Sequence, residues 1–325
     1  MTTKQNLDIP TLAVKIFNGE RTDAALKRAI PRLAKNPEFM EVIEASLIGV
    51  PTSHLLRCGS ATNLSAVSDA SVHLVVTSPP YWTLKQYETS PDQLGDVTDY
   101  DEFVTKLEQV WKECYRVLVP GGRLIVVVGD VCLSRKAHGR HAVIPLHASI
   151  QESCRRIGYD NLAPIIWNKI ANAQFEVKGS GGFLGKPYEP NAVIKNDIEF
   201  ILMQRKPGGY RSPSFEARLL SVIRDSSHRE WFQQVWKLRG ASTRHHPAPY
   251  PVELAERLVR MFSFVGDTVL DPFLGSGTTT MAAGRWGRNS IGVEIEPSYL
   301  KLATDRIAKD FNLLSSAATV SLQSD

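Results

Sequence analysis

Cysteine is scarce in this chain. The four residues, Cys58, Cys114, Cys132 and Cys154, lie far apart, with no Cys-x-x-Cys pair and no histidine at zinc spacing. That pattern excludes a disulfide scaffold and a zinc module, so the cysteines read as reduced, structural thiols and no metal site is expected. Long apolar runs are missing too. None approaches the roughly 20 residues of a spanning helix, and the N-terminus lacks the charged-then-apolar order of a secretory signal. No membrane partner and a cytoplasmic location are therefore expected. Net charge is only +4 over 325 residues, of the sign that suits a polyanion but too small to announce one. There is no internal repeat, and neither an acidic nor a basic tail.

What is present is a globular composition, 43% hydrophobic, long enough for one large or two medium domains. Residues 1–53 read as helical, with apolar residues at helical spacing over 23–34 and 37–48. Pro31 should end or kink the first helix, whereas Pro37 suits the first position of the second. This extension is expected to be a packing arm, with a dimer contact or a DNA contact as alternatives. From residue 54 onward short apolar runs alternate with amphipathic stretches, the pattern of a parallel sheet with helices on both faces. Strands are expected at 55–58, 72–77, 124–129, 164–167, 198–204, 268–271 and 290–294, and helices at 100–117, 144–157, 251–262 and 277–286. Two stretches break the alternation. Residues 171–196 are glycine-rich, and 206–243 mix Arg and Lys with Tyr210, Phe215, Trp231, Phe232 and Trp236. Stretches of that length without regular structure usually carry function or are disordered.

Two motifs carry chemistry. The apolar run 72–76 leads into Thr77-Ser78-Pro79-Pro80-Tyr81-Trp82. A hydroxyl, a carbonyl stiffened because Pro80 restricts Pro79 to extended backbone, and two aromatic faces make a clamp for a flat heterocycle bearing an amino group. Alone, the same residues would read as a surface Pro-Pro turn with core aromatics. The second motif runs from Leu270-Asp271-Pro272-Phe273 into Gly275-Ser276-Gly277-Thr278-Thr279. A strand, a glycine turn and a helix start present backbone N–H groups to an anion. Gly275 and Gly277 permit close approach, and Thr278 and Thr279 offer capping hydroxyls. No Lys follows the second glycine, so this is not an NTPase phosphate loop. Glu294 ends the next strand about 20 residues on, where a carboxylate can accept from both ribose hydroxyls. Nicotinamide and flavin enzymes share such a turn, so the turn alone does not choose the cofactor.

Through these two motifs and their order, the chain resembles bacterial DNA amino-methyltransferases that use S-adenosylmethionine, of the beta-class order in which the catalytic motif precedes the cofactor motif. The resemblance implies an α/β, Rossmann-like sheet of seven strands, circularly permuted, with strands 268–271 and 290–294 inserted mid-sheet beside those around Leu55 and Val72. It divides the chain into a helical extension (1–53), a catalytic half (54–170), a target-recognition region (171–245, interrupted by the strand near 198–204), a cofactor half (246–312) and a C-terminal tail (313–325). It implies S-adenosylmethionine as cofactor, held by Asp271, Pro272, Phe273, Gly275, Ser276, Gly277, Thr278, Thr279 and Glu294. His246 and Pro247 belong to a segment that closes over the methionine end in this family. Ser60 stands where the family often has an Asp that contacts the adenine amine.

The same resemblance assigns Ser78, Pro79, Pro80, Tyr81 and Trp82 to catalysis. An exocyclic amine is a poor nucleophile because its lone pair is delocalised into the ring; acceptors on both amino hydrogens expose that lone pair. The target lies inside the duplex, so its nucleotide must be rotated out, and Tyr81 is placed to stack on it. Ser at this position goes mostly with cytosine N4 and Asp with adenine N6, which favours cytosine slightly over a near-equal adenine. Cytosine C5 methylation is disfavoured, since that family carries its thiolate directly after a proline and none of the four cysteines follows one. Double-stranded DNA is the implied partner, within the bacterial nucleoid; homodimers and a cognate restriction endonuclease are common in the family. An RNA or protein amide methyltransferase and a non-catalytic DNA-binding subunit are the competing readings.

DNA contacts are expected in two places. Asp130 ends a strand and is followed by Arg135, Lys136, His138, Arg140 and His141, a basic loop on the sheet edge of Ser78 that suits backbone phosphates. A solvated basic loop is the plain alternative. Lys186, Arg211 and Arg244 stand among the cations interleaved with aromatics over 171–245, the stretch assigned to target recognition.

Overall fold

The computed structural model describes residues 22–82, 93–133, 135–169, 190, 194, 196–241, 249–314 and 316–324. Two helices, α1 (Asp23–Lys35) and α2 (Pro37–Ser46), precede strands β1 (Thr52–Cys58) and β2 (Val72–Thr77). Then come α3 (Tyr100–Val117), β3 (Leu118–Val128), β4 (Val131–Leu133), α4 (Arg135–His138), β5 (Ala142–Ile144) and α5 (Leu146–Ile157). The middle of the chain gives β6 (Asp160–Asn168), β7 (Ile198–Arg205), α6 (Phe215–Leu220), α7 (Asp225–Trp231) and β8 (Val235–Lys237). The last part gives α8 (Val252–Phe262), β9 (Thr268–Asp271), α9 (Thr278–Arg285), β10 (Asn289–Glu294), α10 (Pro297–Leu314) and β11 (Ala318–Ser324).

Among the described residues nine strands form one sheet, in the order β11-β1-β10-β9-β2-β3-β7-β6-β8. From β11 to β3 neighbours are parallel; β7 is antiparallel to β3 and β6, and β8 is parallel to β6. The expected insertion of β9 and β10 between β1 and β2 is what the sheet shows. Its apolar faces come from alternation within each strand: Leu74 and Val76 of β2 join one helical layer, built by α8 and α9, while Val75 joins the other, built by α3 and α5. Every strand of this sheet except β7 therefore ends on one edge, called here the C-terminal edge.

All seven expected strands exist, and the structure adds to them. β3 begins at Leu118, ahead of its apolar run, because Pro120-Gly121-Gly122 stays in the strand, with Gly121 N–H donating to Lys206 O and Lys206 N–H to Gly122 O. β8 and the β4–β5 hairpin are further elements. The expected tail supplies β11, an edge strand paired with β1 from Thr52 to Cys58. Helix α1 also continues past Pro31, which does not end it. That proline is exposed, so the carbonyl it leaves without an intrahelical donor can be hydrated, which softens the usual penalty.

The N-terminal extension packs as an arm. Leu26, Leu33, Met40 and Ile43 share a core with Leu219 and Leu220 of α6 and with Val265, which precedes β9. Three ion pairs fasten it: Arg218–Asp23 at 2.7 Å, Arg224–Glu44 at 2.7 Å and Arg260–Glu44 at 3.0 Å. This cluster lies at the N-terminal edge of the sheet, opposite the strand ends that carry the two motifs. Among the described residues no helix is long and apolar enough to cross a membrane.

Candidate active site

Strands β2 and β9 are parallel neighbours, with Leu74 opposite Val269 and Val75 opposite Leu270. The Ser78 and Pro272 turns, far apart in sequence, consequently leave the sheet side by side. One buried carboxylate ties them. Thr77 Oγ1 donates to Asp271 Oδ1 at 2.7 Å, the Phe273 N–H donates to the same oxygen at 3.1 Å, and Tyr250 donates to Oδ2 at 3.2 Å. The Thr279 hydroxyl lies 2.8 Å from Oδ2 and also bonds the Tyr250 hydroxyl. Burial pushes the Asp271 carboxyl up, and these hydrogen bonds hold it down. Asp271 thus joins catalytic strand to cofactor turn, rather than facing the open cleft.

The cofactor turn has an unusual start. Gly277 caps α9 with φ +78°, and a Cβ there would stand 2.7 Å from Ile307 Cδ1, so only glycine fits. The expected capping by Thr278 and Thr279 is not made: no side chain caps this helix. Thr279 serves the Asp271 network instead, and Thr278 Oγ1 accepts from Arg306 at 3.0 Å. Arg306 also donates to Ser276 O and Oγ at 2.8 and 2.9 Å, bracing the turn from α10. Nothing in the linear sequence points to Arg306.

Glu294 ends β10 beside this turn. Its carboxylate accepts from the Gly275 N–H at 2.8 Å and the Glu296 N–H at 3.0 Å, yet burial pushes its pKa up to about 7. Across the ends of β1 and β10, Gly59 N–H donates to Glu294 O, and Ser60 Oγ pairs with Thr62 Oγ1 at 2.8 Å. Ser60, Ser78, Pro80, Pro272, Phe273, Gly275 and Glu294 all line one cleft of about 580 Å³, closed further by Gln93, Leu94, Ile295 and Tyr299. Glu294, the glycine turn and the apolar walls fit a nucleoside with an amino-acid tail. Ser78 shares that cleft, which is the juxtaposition the motif order requires.

Ser78 Oγ donates to the Tyr81 hydroxyl at 3.4 Å, and Tyr81 itself is only 7% exposed. Trp82 takes φ +47°, rare for a side-chain-bearing residue, and packs edge-on against Tyr100 at 5.4 Å between centroids. Strain of this kind gathers at functional turns. After β3, Asp130 Oδ1 meets His147 Nδ1 at 2.6 Å and so fixes the base of the β4–β5 hairpin. At the hairpin tip Arg135, Lys136, His138, Arg140 and His141 belong to the expected basic loop, and Arg135, Lys136, Arg140 and His141 are exposed. None of these four has an ion-pair partner among the described residues.

Arg211 lies elsewhere. It sits at the N-terminal edge, doubly hydrogen-bonded to Asp267 at 2.7 and 2.5 Å, so the structure does not bring it to the cleft. Trp231 and Trp236, read as interleaved aromatics, are buried in the core. Lys186, Arg244, His246 and Pro247 fall outside the described residues. The segments that hold them start and end at the C-terminal edge, after Lys169 and Ala241 and before Ile198 and Pro249.

Comparisons with known proteins agree with this arrangement. The chain is 36% identical to the type II methyltransferase M.MjaI of Methanocaldococcus jannaschii over 82% of its own length and 97% of the relative's. M.MthZI of Methanothermobacter thermautotrophicus is 35% identical, covering 81% and 78%. Among solved structures, a candidate DNA modification methylase from Thermus thermophilus, complexed with S-adenosyl-L-methionine, superposes with a TM-score of 0.67 at 50% identity, covering 82% of this chain and 99% of that one. The PvuII DNA methyltransferase (cytosine-N4-specific) shares the fold at a TM-score of 0.58 and 18% identity, covering 84% and 98%. Residues 72–305 match the family model described as DNA methylase, and the chain belongs to that family.

Proposed function

We propose that the protein transfers the methyl group of S-adenosylmethionine to an exocyclic amino nitrogen of a base turned out of duplex DNA, with cytosine N4 favoured over adenine N6. The observation that carries this is the shared cleft: Ser78 and the cradle of Gly275 and Glu294 line it together, joined beneath by Thr77 and Asp271. When bound, the cofactor supplies an electrophilic sulfonium methyl. The chain's own residues do the rest. Glu294 offers acceptors to a ribose, and Ser60 lines the same cleft. Ser78 Oγ and the Pro79 carbonyl accept from the two amino hydrogens, and Tyr81 and Trp82 wall the heterocycle. Withdrawing both hydrogens from the ring plane frees the nitrogen lone pair for attack, and the one amino proton that the nitrogen sheds on gaining the methyl passes to water.

The exposed, unpartnered cations of the β4–β5 hairpin suit phosphates beside the extruded nucleotide. Target reading belongs to the segments that leave the C-terminal edge after Lys169 and Ala241, where Lys186 and Arg244 stand in the sequence. A cytoplasmic, nucleoid location, a homodimer and a cognate restriction endonuclease are carried by the family resemblance alone.

Tritium transfer from labelled cofactor to duplex DNA, against RNA and protein, tests the reading. Ser78→Ala and Tyr81→Ala should each lower turnover by at least about 100-fold while calorimetry shows cofactor binding largely kept. Wild-type turnover in both variants would remove the mechanism. Nucleoside mass spectrometry then names the base: N4-methylcytosine is expected, and N6-methyladenine would correct the base and leave the mechanism standing.

A further inference from the structure

A second polar pair lies at the C-terminal edge, and nothing above uses it. Glu199, near the start of β7, is buried to 7% exposure and forms an ion pair with Lys169, just past the end of β6. Taking a carboxylate out of water is costly, and pairing it rarely makes the burial a net gain in stability. The location suggests another reason. Gly129 follows β3, and a Cβ built on it would stand 3.2 Å from Glu199 Cγ, 3.5 Å from Glu199 Oε1 and 3.4 Å from Tyr81 Cε2. Glycine there lets the ion pair and the Tyr81 ring lie against the same point of backbone. The Tyr81 hydroxyl in turn meets Ser78 Oγ. Tyr81 and Glu199 therefore flank one point of backbone at Gly129, with Ser78 bonded to the first and Lys169 paired with the second.

The Lys169 ammonium is a donor only, with three N–H groups. Glu199 Oε1 takes one, and the cation sits 4.8 Å from the centre of the Trp167 ring. No further acceptor meets it among the described residues, and its side chain is 35% exposed. A flat heterocycle whose amine is held at Ser78 carries a ring-nitrogen acceptor beside that amine, on its Watson–Crick edge. We propose that Lys169, oriented by Glu199, donates a hydrogen bond to that acceptor and so binds the extruded base itself. This rests on the methyl-transfer reading above and adds a base-binding residue to it.

The test needs the modified sequence, read by single-molecule sequencing of DNA methylated by the wild-type protein. Two duplexes are then compared in equilibrium binding, one with the target base and one with an abasic residue in its place. Lys169→Met should weaken binding of the intact duplex about tenfold, the size of a charge-assisted hydrogen bond, and leave the abasic duplex unchanged. Glu199→Gln should act in the same direction and less. Equal losses on both duplexes would mark Lys169 as a phosphate contact, and no loss on either would leave it no role; both overturn the proposal. So would loss of cofactor binding in both variants, the sign of a purely structural pair. A wild-type protein that transfers no methyl to DNA defeats the proposed function instead, so the two failures are told apart.

Discussion

At the N-terminal edge of the sheet Arg211, Arg218, Arg224 and Arg260 each meet a carboxylate, from Asp267, Asp23, Glu44 and Glu44 respectively. At the C-terminal edge Arg135, Lys136 and Arg140 meet none among the described residues. Both stretches look alike in sequence, basic and broken, and the difference between them is a matter of partners. A paired guanidinium has its charge neutralised and its donors filled, whereas an exposed, unpaired cation keeps both for a phosphate. The number of cations in a segment is thus a poorer guide to a DNA face than where the acids of the rest of the chain come to lie.

Replacing Arg135, Lys136 and Arg140 together by Ala puts the largest strain on this contrast. DNA affinity should fall by on the order of 100-fold at low salt, and the slope of log affinity against log salt should flatten by roughly three. A slope unchanged from wild type in a salt titration would break the comparison from the C-terminal side. From the other edge, Arg211→Ala should leave that slope alone and destabilise the fold by about 2 kcal/mol, because Asp267 loses its doubly bonded partner. Urea unfolding and DNA binding on the same variant give both numbers, and a weaker DNA complex with unchanged stability would reverse the assignment.

The smallest effect concerns the one strongly shifted acid in the cleft. With the Glu294 pKa near 7 in the cofactor-free protein, cofactor affinity should rise about tenfold between pH 6 and pH 8 as the acceptor form fills. Glu294→Gln should abolish that dependence in calorimetric titrations. Folding raises this pKa above its ordinary value, so the group's stabilising share is present below the ordinary range and lost as pH rises through about 7. The Gln variant should therefore melt higher than wild type at pH 8 and not at pH 4, while binding cofactor poorly.

Much of the fold was legible because buried strands announce themselves as short apolar runs, and each of the seven expected was found. β8 and β11 were missed for a reason: Val235–Lys237 is three residues long, and Ala318–Ser324 alternates like an edge, with Leu322 exposed to 61%. Pro31 does not end its helix, because the rule against proline in helices presumes a carbonyl cut off from water. In the candidate site, the turn and strand-end positions of Ser78, Gly275, Gly277 and Glu294 are readable, since each answers a local demand of turn or strand end. Arg306, Tyr250 and the Glu199–Lys169 pair were not, because their partners are distant in sequence and only the folded sheet introduces them. In the basic, aromatic stretch 206–243 the same holds for Arg211, Arg218 and Arg224, which meet acids contributed by remote parts of the chain.

The order of strands also shapes the life of the chain before it is finished. β1 and β2 flank a gap that only β9 and β10 fill, so a chain growing from its N-terminus leaves one border of β2 and both borders of β1 unsatisfied until β9 and β10 have been made, and the outer border of β1 until β11 follows. Such borders are sites for mispairing with other chains, and closure across so long a loop is slow. Synthesis of this protein therefore carries a window in which β2, β3, β7, β6 and β8 can pair while the gap between β1 and β2 cannot shut, and shielding by chaperones during that interval should govern its yield.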